Sequence, residues 1–393
     1  VNGFRFELMK MIPLSVPTLN GPVLEYLKEC VETNWVSSAG AFVDRFEASI
    51  ASYVGAKHAV ACNSGTAALH LALLAAGVRD GDEVLIPTLT FIAPVNAISY
   101  VGAKPVFFDC DSSFCMDMNS VIKFVESMTR EQDGFTYNAK TGARISAILP
   151  VHIWGNMCDF GEALNLLEDR GIAVVEDASE ALGTRLKGSG VGSGKHAGTL
   201  GKLGCFSFNG NKIITSGGGG MVVTDDDKMA KQVRHLSTQA KVDEIHYLHD
   251  RVGYNYRLTN VQAAIGVAQF ECLPDILMKK KRVAEIYESI CEPLKGVDFR
   301  KGPSNALNNC WLNVVEISGW DVSDIVTRAA ELGIQVRPVW ELNHRHAMYL
   351  KHQVISSVEA ERSRASCVCL PSSPNLSGEE LSRIEEFLRG CQL

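Results

Sequence analysis

Lys212 closes the stretch Cys205-Phe206-Ser207-Phe208-Asn209-Gly210-Asn211-Lys212 and is followed, after Ile213-Ile214-Thr215-Ser216, by four glycines, Gly217 to Gly220. An amine beyond a short apolar strand, backed by main chain without side chains, can be held against a flat ligand while backbone closes in from the far side. The same arrangement also suits a surface lysine before a flexible turn, so the rest of the chain must decide. Asn63-Ser64-Gly65-Thr66-Ala67-Ala68 lies where a strand pattern gives way to a helical one. The amides of Gly65, Thr66 and Ala67 would point outward there, at the positive end of a helix, with the Thr66 hydroxyl beside them. That is an anion site of phosphate size, or else a plain Ser/Thr cap.

Val174-Val175-Glu176-Asp177-Ala178 places two carboxylates at the C-terminal end of an apolar strand, with Ser179 and Glu180 next. In an open parallel sheet that end faces the ligand crevice, although one such acid can serve as a helix cap. Ser207 adds a hydroxyl to the lysine segment. Asn255 and Arg257, in Gly253-Tyr254-Asn255-Tyr256-Arg257, offer anion-binding groups or an interface salt bridge. Phe91 after Thr88-Leu89-Thr90 is a core aromatic or a ring stacked on a planar ligand, and His152 at a strand end faces a ligand or a structural partner. Together these are a phosphate nest, a flat ring, a strand-end acid and an amine on a glycine-backed turn. Pyridoxal phosphate needs those parts: an anchor, a face, a partner for the pyridine nitrogen and a Schiff-base amine.

The elements that must position them follow from hydrophobic periodicity. Strands are expected at His58–Cys62, Glu83–Ile86, Pro105–Phe108, Ser146–Val151, Ala173–Glu176, Cys205–Phe208 and Met221–Thr224, with helices between most of them. Apolar strands alternating with helices predict a mostly parallel sheet covered on both faces. Two helices, Val261–Leu273 and Asp275–Cys291, break at Pro274. A smaller α+β part follows, with strands at Cys310–Ile317 and Gln335–Arg337 and helices at Val322–Leu332 and Gly378–Arg389. The polar segment Phe135–Arg144 reads as an insertion loop. The 393 residues, 46% hydrophobic, are enough for two domains, which we place at 12–265 (with the N-terminal helices free to pack on the smaller part) and 266–393.

The net charge is -7, and the longest basic run, Lys279-Lys280-Lys281-Arg282, suits the solvated face of a helix. Nucleic acid is therefore not an expected partner, while a local basic pocket for a phosphate-bearing substrate remains compatible with the charge. The 12 cysteines are scattered without a CxxC pair, which favours reduced core thiols over disulfides or a metal site. Val1-Asn2-Gly3-Phe4-Arg5-Phe6 lacks the apolar core of a signal peptide, and no run approaches the ~18 apolar residues of a membrane span. A cytoplasmic protein is expected.

The ordered series Ser64-Gly65-Thr66, Glu176-Asp177-Ala178, Ser207-Phe208 with Lys212 and its glycines, then Asn255-Tyr256-Arg257, resembles the DegT/DnrJ/EryC1/StrS nucleotide-sugar aminotransferases. The string Ser207-Phe208-Asn209-Gly210-Asn211-Lys212-Ile213-Ile214-Thr215 and the insertion are most similar to the legionaminic-acid-type branch, which aminates a UDP-linked 4-keto-6-deoxy-N-acetylhexosamine. The resemblance implies pyridoxal phosphate transferase fold type I, the aspartate-aminotransferase type, with a seven-stranded sheet in the larger domain. It implies that Lys212 carries pyridoxal 5'-phosphate covalently and that Asp177 bonds the pyridine nitrogen. Phe91 stacks on the ring, and Gly65, Thr66 and Ser207 hold the phosphate, joined by Asn255 from the second subunit of a homodimer. Glutamate is the implied amino donor. Glu180 stands where many relatives carry Gln near the cofactor's phenolic oxygen, and Cys310 where close relatives carry His. Arg257, Arg337, Trp340, His152 and His344 are candidate substrate contacts. Sugar dehydratases of the same family carry His at the lysine position, so Lys212 favours transamination. A cofactor-binding regulator and a dinucleotide-binding dehydrogenase are the other classes, and the position of the glycines after the lysine speaks against the latter.

Overall fold

Seven short apolar strands pair into one sheet: β1 (His58–Cys62), β2 (Glu83–Pro87), β3 (Lys104–Phe108), β4 (Ile145–Ile148), β5 (Ala173–Asp177), β6 (Leu203–Ser207) and β7 (Gly220–Thr224). The computed structural model describes residues 11–188 and 194–393; Val1–Phe6, read above for a signal sequence, lie outside the described residues. The strand order is β1-β7-β6-β5-β4-β2-β3. Six strands run parallel, and only β7 is antiparallel to its neighbours. Successive side chains fall into two separate apolar clusters, as the pleat requires: Val174 and Phe206 belong to one, Val175, Leu203 and Cys205 to the other. Helices cover both faces, which is why the strands read as near-continuous hydrophobic runs.

Helix α1 (Gly65–Ala75) is apolar nearly all round and is buried against β6 and β7. Ser64 caps it, its Oγ accepting the Ala67 amide at 3.1 Å. Two further helices, α2 (Asn260–Glu271) and α3 (Leu273–Cys291), meet at a bend of 62° with Pro274 in the first turn of the second. Position 265 lies within α2, which packs on the N-terminal helices Val23–Glu32 and Ala41–Val54. A second sheet joins β8 (Val297–Phe299), β9 (Asn313–Ile317), β10 (Arg337–Pro338) and β11 (Cys367–Leu370), all antiparallel, in the order β8-β9-β11-β10. With helices Val322–Glu331 and Gly378–Arg389 it closes over a third apolar cluster.

Two expectations are corrected here. Phe135–Arg144 is not simply a loop: Phe135–Asn138 pairs with Thr129–Gln132 as an antiparallel hairpin. The basic run is on a helix, but it is not wholly solvated. Lys280 is buried at 2% exposure, with Nζ donating to the carbonyls of Trp311 at 2.8 Å and Ser372 at 2.5 Å. A run of four basic residues spans more than one helical turn, so one of them must face inward. Burial lowers the Lys280 ammonium to about 7. All cysteines except Cys272 and Cys310 are buried, consistent with small core side chains. No single helix among the described residues is long and apolar enough to cross a membrane.

Candidate active site

The C-terminal ends of four parallel strands meet one cavity of about 480 Å³. β1 delivers Ser64, Gly65 and Thr66; β2 delivers Thr90 and Phe91; β5 delivers Asp177, Ser179 and Glu180; β6 delivers Ser207 and, beyond a turn, Lys212. The opposite wall comes from Leu14, Trp311, Leu312, Arg337, Pro338 and Trp340. A crevice at strand C-termini is where an open α/β sheet leaves backbone groups and helix N-termini facing a ligand.

The floor follows from close backbone approach. A Cβ on Gly65 would stand 2.8 Å from Cβ of Ser207, and one on Gly220 would stand 2.3 Å from the Ser64 carbonyl oxygen. The glycine run therefore passes directly against the start of α1, with φ +77° at Gly217 and +147° at Gly219. We expect Gly220→Ala to lower stability by about 1–3 kcal/mol through overpacking, read as a drop in the midpoint of thermal unfolding. The Ala67 amide is taken by Ser64 Oγ, so the nest is narrower than the sequence suggested: the amides of Gly65 and Thr66, which have no intrahelical acceptor, with Ser207 opposite.

The pleat of β5 separates its two acids. Asp177 faces the cavity, its Oδ1 accepting the Ser179 amide at 3.0 Å. Glu176 faces the other way and accepts four bonds: His152 Nε2, and the amides of Gly198, Leu200 and Gly201. Burial pushes the Asp177 carboxyl up, opposed by the Ser179 bonds and then by the charge of Lys212. Lys212 leaves the strand through a turn in which its amide donates to the Asn209 carbonyl at 3.1 Å. Its Nζ is 3.2 Å from Glu180 Oε1 and 4.1 Å above the centre of the Trp311 ring. Burial also raises the Glu180 carboxyl, with the Lys212 charge the largest opposing influence.

Of the residues singled out from sequence, Gly65, Thr66, Phe91, Asp177, Glu180, Ser207, Lys212, Arg337 and Trp340 line this cavity. Three of the others are held elsewhere. His152 is fully buried between Glu176 and the Cys158 amide, which donates to its Nδ1 at 3.1 Å, so it is a structural histidine. Arg257 Nη1 binds Glu47 Oε1 and the Ala61 carbonyl, each at 3.0 Å, and is a buried ion-pair residue. His344 Nδ1 is 2.7 Å from Thr88 Oγ1, behind the wall. Asn255 is exposed and does not line the cavity, although its carbonyl accepts Asn63 Nδ2 at 3.2 Å, one position before Ser64.

Sequence reading missed Trp311 as a cavity residue. Its indole N–H donates to the Asn211 carbonyl at 2.6 Å, fixing the ring under Nζ. Trp340 bridges the wall, 5.4 Å from the Trp154 ring, 6.0 Å from Phe91 and 6.5 Å from Trp311. Tryptophan at these positions was visible, but nothing local tied it to a lysine about a hundred positions away.

The whole architecture is shared with solved aminotransferases. The structure of DesI in the presence of its TDP-sugar product superposes with a TM-score of 0.85, at 26% identity over 97% of this chain and 93% of that one. The family model of the DegT/DnrJ/EryC1/StrS aminotransferases matches residues 18–389, and the chain belongs to that family. Among curated relatives, the GDP-perosamine synthase of Caulobacter vibrioides is 37% identical, covering 95% of this chain and 96% of its own. The putative pyridoxal phosphate-dependent aminotransferase EpsN of Bacillus subtilis is 36% identical, covering 96% of this chain and 95% of its own. The fold is thus that of the pyridoxal phosphate enzymes of fold type I, and this family of aminotransferases works with that cofactor.

The residues present fit that cofactor on grounds internal to the chain. Asp177 is a buried acid with few protein partners, suited to a protonated ring nitrogen. The cradle between Gly65 and Ser207 is one that a single Cβ would fill.

Proposed function

We propose that the protein transfers the amino group of glutamate to a nucleotide-linked 4-keto-6-deoxy sugar, UDP-linked and N-acetylated, for a surface polysaccharide or a nonulosonic acid. The observation that carries this is the single cavity in which the Lys212 amine, the buried Asp177 and the free amides of α1 surround a slot between Phe91 and Trp340. Bound pyridoxal phosphate supplies a ring that stabilises negative charge beside the transferred nitrogen. The chain does the rest. Gly65, Thr66 and Ser207 bind the phosphate at the positive end of α1. Asp177 holds the proton on the ring nitrogen by charge pairing, and Phe91 covers the ring. Lys212 Nζ, free once the amino donor is bound, would take the proton from the donor's α-carbon and deliver it to the cofactor carbon that keeps the nitrogen. Trp311 and Trp340 exclude water from that exchange.

Room for the nucleotide lies next door. A second cavity of about 520 Å³ shares Leu312 with the first and is lined by Lys187, Lys281, Arg300, Lys301 and Asn308, with Glu285 and Glu288 offsetting part of the charge. Trp154 and Asn308 line it too, and their indole N–H and amide oxygen have no protein partner among the described residues, leaving one donor and one acceptor beside the space for a base. We also read the protein as a cytoplasmic homodimer in which Asn255 reaches the partner's cavity. The exposure of Leu24, Val31 and Trp35 on one side of the chain supports a covering second copy.

The GDP-perosamine synthase relative favours a second reading, a GDP-linked sugar. Nitrogen-labelled glutamate offered with UDP- and GDP-linked 4-keto sugars separates the two. Label is expected in the UDP-linked N-acetylated sugar. Label only in a GDP-linked sugar would select the second reading, and label in neither would end both.

A further inference from the structure

Glu180 touches the reactive amine and is not explained by cofactor anchoring alone. We propose that Glu180 is a positioning residue for Lys212: its carboxylate is the counter-ion that holds Nζ in the cavity as an ammonium and accepts the proton when the amine must react. This rests on the reading of Lys212 as the cofactor-bearing lysine.

The geometry divides the two cavity acids. Glu180 Oε1 is 3.2 Å from Nζ, and Lys212 makes no other ion pair among the described residues. Asp177, on the same segment, is bound by Ser179 at Oδ1 and left to meet the ring nitrogen. Glu180 is restrained on its other side, where its Oε2 accepts the Trp154 amide at 2.8 Å. That amide is aimed by an unusual backbone: Trp154 has φ 55° and Gly155 follows at φ 92°. A tryptophan in the left-handed region costs about 1–2 kcal/mol, so the surrounding structure has to enforce it. Here the enforced N–H meets the second carboxylate oxygen. The Glu180 backbone is fixed as well, its carbonyl accepting Asn309 Nδ2 at 2.8 Å. Carboxylate and amine are thereby held from both sides, with the Trp311 face beneath Nζ.

The proton transfer balances without another reactant. One N–H bond of the ammonium breaks and an O–H bond forms at Glu180 Oε1, giving a neutral amine beside a neutral carboxylic acid. Burial raises the Glu180 carboxyl, which brings acid and ammonium closer in proton affinity. The other groups facing this pair are Asp177, whose charge also raises Glu180, the Cys369 thiol, which feels the Glu180 charge, Arg337 at the cavity wall, and His152, which acts on Asp177 from behind the sheet. None of them replaces Glu180 at Nζ.

The test uses the full chain in two forms. In the cofactor-loaded enzyme, E180Q should move the pH midpoint of the visible absorbance band downward, because the protonated nitrogen loses its counter-ion while the Trp154 amide keeps an oxygen acceptor. In the cofactor-stripped chain, arylation of Lys212 by fluorodinitrobenzene, followed by peptide mass spectrometry near neutral pH, should be about tenfold faster in E180Q. E180D should fall between the two, and Lys57, on the surface beside Asp227, should label at one rate in all three. Equal Lys212 labelling and an unmoved absorbance midpoint in E180Q would overturn the proposal, as would E180D behaving like E180Q in both. Labelling needs no sugar, so its failure rejects Glu180 alone, whereas failure of the sugar assays leaves the labelling result standing.

Discussion

Lys212→Ala should abolish amino transfer, with a loss of about a thousandfold or more, while leaving the chain folded. Among the described residues no other lysine lines the cavity, so no second amine there can take over the proton moved from the amino donor. The side chain is only 14% exposed and its removal leaves Asp177 and Glu180 as two buried carboxylates without the ammonium that now pairs with Glu180. Two like charges in that space cannot both ionise comfortably, so one holds its proton and the fold survives at neutral pH. Transfer from labelled glutamate and the cofactor's visible band measure the outcome together. Turnover within tenfold of the wild type would remove Lys212 from the mechanism. A folded protein that binds the cofactor without covalent attachment, and does not turn over, is the expected result.

The elements behind this site were legible because their signals are local. Each of the seven strands is an apolar run between turn residues, and Gly65, Asp177 and Ser207 all follow or end a parallel strand. Topology then brings them together at one edge, whatever their separation in sequence. What sequence could not supply was the direction of a side chain at a strand end. Val151 lines the cavity and His152 does not; Asp177 faces in and Glu176 faces out. One residue of register decides each pair: it puts the aliphatic Val151 at the cavity in place of the histidine, and it chooses between two carboxylates that look equally suited to chemistry. Long-range partners were invisible for a different reason. Arg257 is claimed by Glu47, 210 positions away, and Trp311 is fixed under Lys212 by a carbonyl 100 positions away. Lys280 shows the same limit, its place in a basic run giving no hint that two carbonyls would capture it inside the core.

Asp177→Asn should keep the fold and the cofactor yet lose rate by on the order of a hundredfold or more, because charge pairing with the ring nitrogen is lost while shape is preserved. The amide can still accept the Ser179 N–H that now binds Oδ1. It would not hold a proton on the ring nitrogen of the bound cofactor, so the charge left as the donor's α-proton departs would be less well stabilised. A near-unchanged rate would make Asp177 a structural residue. The same variant has a signature without any substrate. Burial, the largest influence, places the Asp177 carboxyl above its ordinary value in the cofactor-stripped chain. The folded state therefore binds this proton more tightly than the unfolded state does. Its contribution to stability is fully present below the ordinary carboxylate range and is lost as pH rises through the raised folded value. Asparagine removes that titration, so thermal unfolding of the stripped variant should depend less on pH across that window than the wild type does. Identical pH dependence in the two proteins would show that Asp177 is not strained by its burial, and that its low rate as asparagine, if observed, has another cause.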